Sequence, residues 1–433
     1  MFSPTIADPD LWGHLRFGLD TLELRSVCRA DTYSYLTAGQ RWINHEWLSE
    51  VLFALAYSAA GAMGLNLLRL AVGLGTLAIC YAWLCRQPLI LLLALPAIHY
   101  GLATVRPQLF TYLLFAVVLS ALVAAEEGRW RRLWLLPPVF ALWANLHGGF
   151  LAGLAVVFVW GAFHAADWRR VLPVWLLCVL ATWVNPYGVE LWAFLLRTAT
   201  LPRADIGEWQ PPRLFSVAGA VYTLLLVIGL LRKRRALALL AVFVVLAVAP
   251  WVAVRHLPLF GLGVLMLAGD VGIKAPPRFA AVFPLLIACV LGGFGFRNLT
   301  AIRVDETYPV AAVATLQACG VSGNMVVPFD WGEYVIWHLG SHVKVSIDGR
   351  RETVYSDGVR TADLRFQSGR KDWDAALERP AADMAMVMRH SAPDKLMRSK
   401  DGWVLIYEDT VAAVFAREGA AQLRPCGKDS KFP

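Results

Sequence analysis

Long apolar runs separated by short polar segments dominate this chain, and they restrict the folds open to it. The runs are roughly 17 to 22 residues long, the length that an α-helix needs to cross the hydrocarbon core of a bilayer. Hydrophobic residues make up 58% of the sequence and charged residues only 17%. This pattern predicts an α-helical polytopic membrane protein.

The apolar runs predict about ten transmembrane helices. Their expected limits are 64–85, 88–104, 109–125, 133–148, 149–166, 171–184, 214–231, 236–254, 256–269 and 279–296. Two of them, 171–184 and 256–269, are shorter than the roughly 20 residues that a bilayer core requires. Their polar ends are expected to lie below the headgroups, where irregular polar backbone is tolerated if it lines a cavity. We therefore expect a cavity that opens to one face of the membrane.

Three regions are expected along the chain. Residues 1–63 are predicted to form an outer-face arm with interfacial helices, one of them at 48–60, and residues 64–296 the transmembrane domain. From Arg297 the composition becomes that of a soluble protein, which predicts an extracytoplasmic α/β domain over 297–433. Its β-rich runs are 324–329, 343–348, 384–388, 403–407 and 411–416.

The basic residues set the expected orientation. Most of the basic residues in the loops between spans lie in every second loop, such as 129–132 and 232–235. The positive-inside rule assigns these loops to the cytoplasm. This assignment accounts for the net charge of +8 without a nucleic acid partner. It also places residues 1–63 outside although they contain no signal peptide, so a further span is expected before Met1.

The seven cysteines predict neither a zinc site nor a disulfide framework. Cys28, Cys319 and Cys426 are isolated and lack metal-ligand spacing, although one disulfide among these three remains open. The other cysteines lie in apolar runs.

Several polar motifs fall at span ends that all face the predicted outer side. They are Asp8-Pro9-Asp10, His45-Glu46-Trp47, Arg106-Pro107-Gln108, Asn145-Leu146-His147, Asn185-Pro186-Tyr187, Glu208-Trp209-Gln210 and Arg255-His256. So many polar motifs on one face suggest a single site.

These motifs resemble those of a poorly characterised family of bacterial polytopic membrane proteins. The resemblance covers nearly the whole chain, and its further motifs are Asp31-Thr-Tyr-Ser-Tyr35, Asn145-Leu-His-Gly-Gly-Phe150, Asn185-Pro-Tyr-Gly188, Asp330-Trp-Gly-Glu-Tyr334 and Ile347-Asp-Gly-Arg350. The family is similar in layout to GT-C fold glycosyltransferases. The resemblance implies a transferase that moves a hexosyl or pentosyl group from a polyprenyl-phosphate-linked donor, in the bacterial inner membrane. Two departures are the absence of the span that precedes the acidic motif and Gly13, where a second tryptophan is expected; the glycine change looks minor.

Asp8 and Asp10 are the predicted catalytic carboxylates. Sugar transfer to a hydroxyl needs a carboxylate to deprotonate the acceptor, and the proline between the two acids favours an extended or turned segment. Both acids are also predicted ligands for a divalent cation, Mg or Mn. The structural alternative is a turn in which Asp10 caps a helix. His14, four residues later, would share the face of Asp10 and bind phosphate or metal, or be a hydrogen-bonded interfacial histidine.

Other residues are predicted to bind the substrate. Arg106 and Arg255 would bind the lipid phosphate, with the alternative that each extends to the lipid headgroups. The remaining candidates are Gln108, His256, His45, Glu46, Asn145, His147, Asn185, Tyr187, Glu208 and Trp209. Glu46 alternatively caps a helix, and Asn145 and His147 alternatively mark a helix break. Residues 188–200, between Asn185 and Glu208, are expected to form a re-entrant or interface-lying helix.

The sequence thus predicts a membrane glycosyltransferase that acts on an envelope glycan, lipid or protein acceptor at the outer face. The alternatives are a transport component of envelope polysaccharide assembly, or a non-catalytic partner that binds glycolipid without turnover. In the tail, Asp348 and Arg350 belong to a motif of the family. The alternative is that they form a buried ion pair that holds the domain together.

Overall fold

A computed structural model describes residues 5–85, 87–199, 201, 203, 206–231, 236–268, 298–378 and 381–420. The chain forms two compact units. Unit 1 comprises Met1–Thr5 and His45–Ile302, and unit 2 comprises Ile6–Asn44 and Arg303–Pro433. Residues 6–44 therefore fold with the C-terminal region, whereas the sequence suggested a separate arm over 1–63.

Most of the described residues are helical. The helices in chain order are α1 (Leu11–Leu24) in unit 2; α2 (Trp47–Ile79), α3 (Pro88–Leu102), α4 (Gln108–Glu126), α5 (Leu136–Leu146), α6 (Phe150–Ala162), α7 (Trp168–Ala181), α8 (Glu190–Ala199), α9 (Val217–Leu230), α10 (Leu237–Val252) and α11 (Leu257–Ala268) in unit 1; and α12 (Val310–Ala318), α13 (Gly332–Leu339), α14 (Asp357–Ser368), α15 (Ala375–Glu378) and α16 (Ala392–Met397) in unit 2.

A helix of unit 1 occupies each predicted span except 279–296, which lies outside the described residues. Among the described residues, Trp47–Leu84 and Gln108–Glu126 are long and apolar enough to cross a bilayer. A third span results if α6 and α7, which are bent by 98° at their junction, form one broken span. The other apolar helices have 10 to 17 residues, fewer than the roughly 20 that a bilayer core requires. The expected count of ten spans is therefore not confirmed.

Helix α2 contains a break at Ala60 and Gly61. The φ angle of Gly61 is +56°, a conformation that glycine adopts at little cost. The break separates the helix expected at 48–60 from the span expected at 64–85. Helix α8 coincides with the short helix expected at 188–200, and it buries Leu191, Phe194 and Leu195 on one face.

Unit 2 is built around a five-stranded sheet with the order β4-β3-β5-β7-β6. The strands are β3 (Gly323–Val326), β4 (Val343–Val345), β5 (Met384–Met388), β6 (Trp403–Glu408) and β7 (Ala412–Arg417), after the short strands β1 (Thr5–Ile6) and β2 (Ile302–Arg303). Strand β3 is parallel to both β4 and β5, whereas β7 is antiparallel to β5 and β6. Each of the five predicted β-rich runs overlaps one of these strands, and each run carries buried apolar residues.

A buried arginine joins the N-terminal segment of unit 2 to its C-terminal part. Arg350 bonds Asp348 through two nitrogens, at 2.9 and 2.7 Å, and contacts Asp31 at 2.7 Å. The rings of Phe17, Tyr33 and Trp42 lie 5.0 to 5.3 Å from its guanidinium carbon. The structural alternative for Asp348 and Arg350 is therefore the arrangement observed. Cys319, in the same unit, is disulfide-bonded.

Candidate functional site

In unit 1, Glu208 bridges two arginines that are far apart in the sequence. Its Oε2 lies 3.0 Å from Nη1 of Arg106, and its Oε1 lies 3.1 Å from Nη1 of Arg255. The three side chains keep 18 to 24% of their surface exposed. The carboxylate thus holds two guanidinium groups together at a partly exposed position.

Trp209 adds a third arginine to this group. The guanidinium carbons of Arg203 and Arg255 lie 4.1 and 4.5 Å from the centre of the Trp209 ring, within the range of cation–π attraction. The amide of Val254 donates a hydrogen bond of 2.9 Å to the carbonyl of Gln210, which fixes the two loops against each other. We refer to Arg106, Arg203, Glu208, Trp209 and Arg255 as the arginine cluster, and its three cations outnumber its one carboxylate.

A second group in unit 1 joins Glu46 to two histidines. Oε1 of Glu46 lies 3.5 Å from Nε2 of His147 and 3.7 Å from Nε2 of His45. The remaining contacts of His147 define its tautomer. The amide of Gly149 donates to Nδ1 of His147 at 2.9 Å, so Nδ1 acts as an acceptor and the proton of the neutral ring lies on Nε2, facing Glu46.

Thr111 supports the position of the His147 ring. Its Oγ1 lies 2.8 Å from Nδ1 of His147 and accepts a hydrogen bond of 2.9 Å from Nε1 of Trp143. Arg106 and Arg255 act electrostatically on His147, together with Glu46 and His45. The structure therefore brings the predicted residues of the two groups into one neighbourhood of unit 1.

The other predicted residues of unit 1 have varied surroundings. Asn145 donates to the carbonyls of Ala141 and Val184 and accepts from Trp47, so these hydrogen bonds are structural. Asn185 similarly stabilises its own turn, accepting from the amide of Tyr187 at 2.7 Å. These contacts lend no support to a substrate role for either asparagine.

Two more predicted residues of unit 1 adjoin the arginine cluster. Gln108 begins α4, and its buried Oε1 has no hydrogen-bond partner among the described residues. His256 experiences the charges of Arg255 and Glu208. Both remain predicted substrate-binding residues.

Asp8, Asp10 and His14 belong to unit 2, so the structure assigns them to a different unit from the arginine cluster. Asp8 accepts a hydrogen bond of 3.2 Å from the amide of Asp10, as in the predicted turn, and Asp10 precedes α1 without a side-chain capping bond. His14 is 8% exposed within α1.

Four carboxylates of unit 2 act electrostatically on the hydroxyl of Tyr308. Burial, followed by the charges of Asp330, Asp8, Asp10 and Glu333, raises the pKa of Tyr308. Burial and then the charge of Asp10 also raise the pKa of Asp330. We refer to the four acids as the acidic cluster, and their mutual repulsion favours the protonated form of at least one of them.

Two glycines make room for the acidic cluster. A Cβ atom at Gly13 would overlap the carboxylate of Glu333, and one at Gly349 would overlap that of Asp10. The amide of Gly13 also donates a hydrogen bond of 3.1 Å to Oε2 of Glu333. Gly13 thus leaves room for the Glu333 carboxylate, and the expectation that this departure from the family pattern is minor stays a prediction.

The predicted divalent cation is not supported by a ligand set in the part of the chain that the structure describes. No group of three or more histidine, cysteine, aspartate or glutamate side chains has a suitable arrangement there. A site formed by Asp8 and Asp10 for Mg or Mn stays a prediction.

The sequence did not identify Glu333 as part of the acidic cluster, or Tyr308 and Gly349 as its neighbours. Glu333 and Gly349 lie within the two tail motifs, Asp330 to Tyr334 and Ile347 to Arg350, so the motifs carried a signal. Their partners in α1 could not be recognised, because only the folded chain brings residues more than 300 positions apart into contact.

The arrangement of the helices is shared with known glycosyltransferases. No protein-family model matches the chain, and no curated protein matches it. The solved structures that match this chain have the GT-C fold. The chain therefore adopts that fold, as the sequence resemblance predicted. One match is the apo oligosaccharyltransferase of Archaeoglobus fulgidus, with a TM-score of 0.56 and 10% identity over 89% of this chain. Another is a mutant of the mycobacterial arabinofuranosyltransferase AftD, with a TM-score of 0.52 and 13% identity over 96% of this chain. The matches cover 66% and 40% of those proteins.

Proposed function

We propose that this protein is a membrane glycosyltransferase that takes its sugar from a polyprenyl-phosphate-linked donor and acts at the outer face of the bacterial inner membrane. The observation that carries the proposal is the arginine cluster of unit 1, within a GT-C fold. The acceptor of the transferred sugar would be an envelope glycan, lipid or protein.

The arginine cluster has the chemistry needed to bind the phosphate of such a donor. Arginine presents several N–H groups that match phosphate oxygens, and a guanidinium group stabilises the charge that develops as the sugar–phosphate bond breaks. Glu208 holds Arg106 and Arg255 together, so their side chains lose less conformational entropy when the phosphate binds. Gln108 supplies a neighbouring amide for a sugar hydroxyl.

Asp10, or Asp8, would serve as the general base. In the proposed step the acceptor hydroxyl loses its proton to the carboxylate, and its oxygen bonds to the anomeric carbon. The bond from that carbon to the phosphate oxygen breaks, and its electron pair leaves with the lipid phosphate. Asp10 and Asp8 belong to the acidic cluster, which supplies carboxylates of the kind that this role requires.

The disulfide at Cys319 supports an extracytoplasmic location for unit 2. Structural disulfides persist mainly in oxidising compartments, such as the bacterial periplasm, and are rare in the cytosol. The outward orientation proposed from the basic loops agrees with this location.

Phosphate binding can be tested with farnesyl phosphate, a short polyprenyl phosphate, and the purified full chain in lipid nanodiscs. We expect Arg106→Gln and Arg255→Gln to weaken its binding at least about tenfold, the loss of one charge-assisted contact. Arg213→Gln is the control, because Arg213 is an exposed arginine in the predicted outer loop that also carries Glu208. Equal affinity in all four proteins would refute the role of the cluster.

Transfer can be tested in membranes supplied with radiolabelled polyprenyl-phosphate sugars. We expect Asp10→Asn or Asp8→Asn to abolish label transfer while farnesyl phosphate binding persists. A wild-type protein that binds farnesyl phosphate but transfers none of the supplied sugars would favour the non-catalytic alternative, and lipid movement across the bilayer would favour the transport alternative.

A further inference from the structure

A cleft in unit 2 lies at the edge of the sheet where ligands of α/β folds commonly bind. Strands β3 and β4 are parallel neighbours, and the cleft lies where both end, beside Val326 of β3 and Ile347 after β4. Open sheets with parallel strands bind ligands at the carboxyl ends of those strands. The cleft has a volume of about 180 Å³, enough for a small ligand or a side chain.

The walls of the cleft are mostly apolar, and their polar side chains are those of Asp363 and Ser346. Helix α14 contributes Val359, Ala362 and Asp363, which the helical spacing places on one face. The same face carries Phe366, which is fully buried. Asp363 therefore occupies a position in an otherwise apolar stripe, where a charged residue is costly unless it has a partner.

No cation pairs with Asp363 in the described ranges of the chain. Its carboxylate accepts one hydrogen bond of 3.3 Å, from Nε2 of Gln367 on the next turn of α14. Burial raises the pKa of Asp363 to about 6, with a further contribution from the charge of Asp330 and against the opposing effect of this hydrogen bond. The carboxylate lines an apolar cleft, and a cation bound there would favour its ionised form.

We propose that this cleft binds a primary ammonium group carried on a short aliphatic stem, with Asp363 as its counter-ion. The stem would lie against Val359 and Ala362, and the ammonium would meet the carboxylate at the wall. A sugar would fit less well, since the described walls offer few polar partners beyond Asp363 and Ser346. This inference goes beyond sugar transfer and concerns a site in unit 2 that the arginine cluster does not share.

The experiment measures binding of n-butylammonium to the purified full chain at pH 7 by calorimetry, with n-butanol and butyrate as probes of similar shape. We expect butylammonium to bind at least tenfold more tightly than butanol, and butyrate not to bind. Asp363→Asn should lower the affinity for butylammonium to that of butanol. Asp357→Asn is the control, because Asp357 lies on the same helix with its side chain 89% exposed and paired with Arg360.

A second variant tests the shape of the cleft while retaining the charge. Ala362→Leu narrows the cleft and should prevent butylammonium binding even though Asp363 is intact. Unchanged affinity in Asp363→Asn, or equal affinity for butanol and butylammonium in the wild type, would overturn the proposal. Two further probes then identify the source of the ammonium group: Nα-acetyl-lysine amide represents a lysine side chain of a protein, and putrescine represents a free polyamine. Binding of either probe supports the site. Arg106→Gln should leave all of these affinities unchanged, which separates this result from the test of sugar transfer.

Discussion

The two units each contain a group of arginine and carboxylate side chains, and the two groups differ in burial. In unit 2, the side chain of Arg350 is 4% exposed, those of Asp31 and Asp348 are 0% exposed, and aromatic rings surround the guanidinium. In unit 1, Arg106, Glu208 and Arg255 are each about one-fifth exposed. The same ionic chemistry therefore stabilises the fold in one unit and remains accessible to a ligand in the other.

Replacement of Arg350 should have the largest effect on stability. Arg350→Met leaves two carboxylates buried without a cation, a change that typically costs about 3–5 kcal/mol. We expect unit 2 to lose its protection from protease in this variant. Arg360→Met, which removes a partner of the exposed Asp357, is the control and should change stability by less than about 0.5 kcal/mol. A stable Arg350→Met protein would contradict the structural role of the buried group.

Enlargement of either glycine beside the acidic cluster should have a smaller effect. Gly13→Ala forces the Glu333 carboxylate to move, and overpacking of this kind costs about 1–3 kcal/mol. Thermal unfolding of the variant measures the cost. Gly402→Ala would serve poorly as a control because Gly402 has a φ of +75°, so Gly207→Ala, which meets no atom within 4 Å, is the better comparison.

The pH dependence of stability should reveal Asp363. Its pKa in the folded protein, about 6, lies above its ordinary value of 3.8, so the folded state binds the proton more tightly than the unfolded state does. This group therefore stabilises the fold below pH 4, and the contribution is lost as the pH rises through 6. Asp363→Asn should remove that loss and be more stable than the wild type at pH 7. If the change in Tm between pH 4 and pH 7 is the same in the wild type and in Asp363→Asn, the effect is excluded.

The smallest effect on stability should come from the arginine cluster. Arg255→Gln breaks a partly exposed ion pair, which contributes about 0–1 kcal/mol. Chemical denaturation should therefore show near wild-type stability, although farnesyl phosphate binding falls. A loss of stability as large as that of Arg350→Met would erase the contrast between the two groups.

Local patterns were sufficient to predict the strands of unit 2 and the helices of unit 1. Five short runs rich in β-branched and apolar residues gave the five strands, and the break at Gly61 followed the end of the helix expected at 48–60. The expected number of complete spans is not confirmed, because several apolar helices of unit 1 end after 10 to 17 residues and because α6 and α7 are bent by 98° at their junction.

The candidate site was predictable only in part. The motifs identified Arg106, Glu208 and Arg255 as functional candidates, but neither their shared ion pairs nor the stacking on Trp209 is visible in sequence spacing. Asp363 was missed altogether, although a single acid among Val359, Ala362 and Phe366 at helical spacing was a detectable signal.

The hydrogen bond between Gly13 and Glu333 joins positions that are 320 residues apart. A ribosome adds about 5–20 residues each second, so the N-terminal acids must wait many seconds before their partners exist. During that interval α1 has no α13 to pack against, and the helices of unit 1 are synthesised first. Assembly of the acidic cluster is consequently a late event in biogenesis, and a chain that stops before Asp330 would contain Asp8 and Asp10 without the surroundings that crowd them.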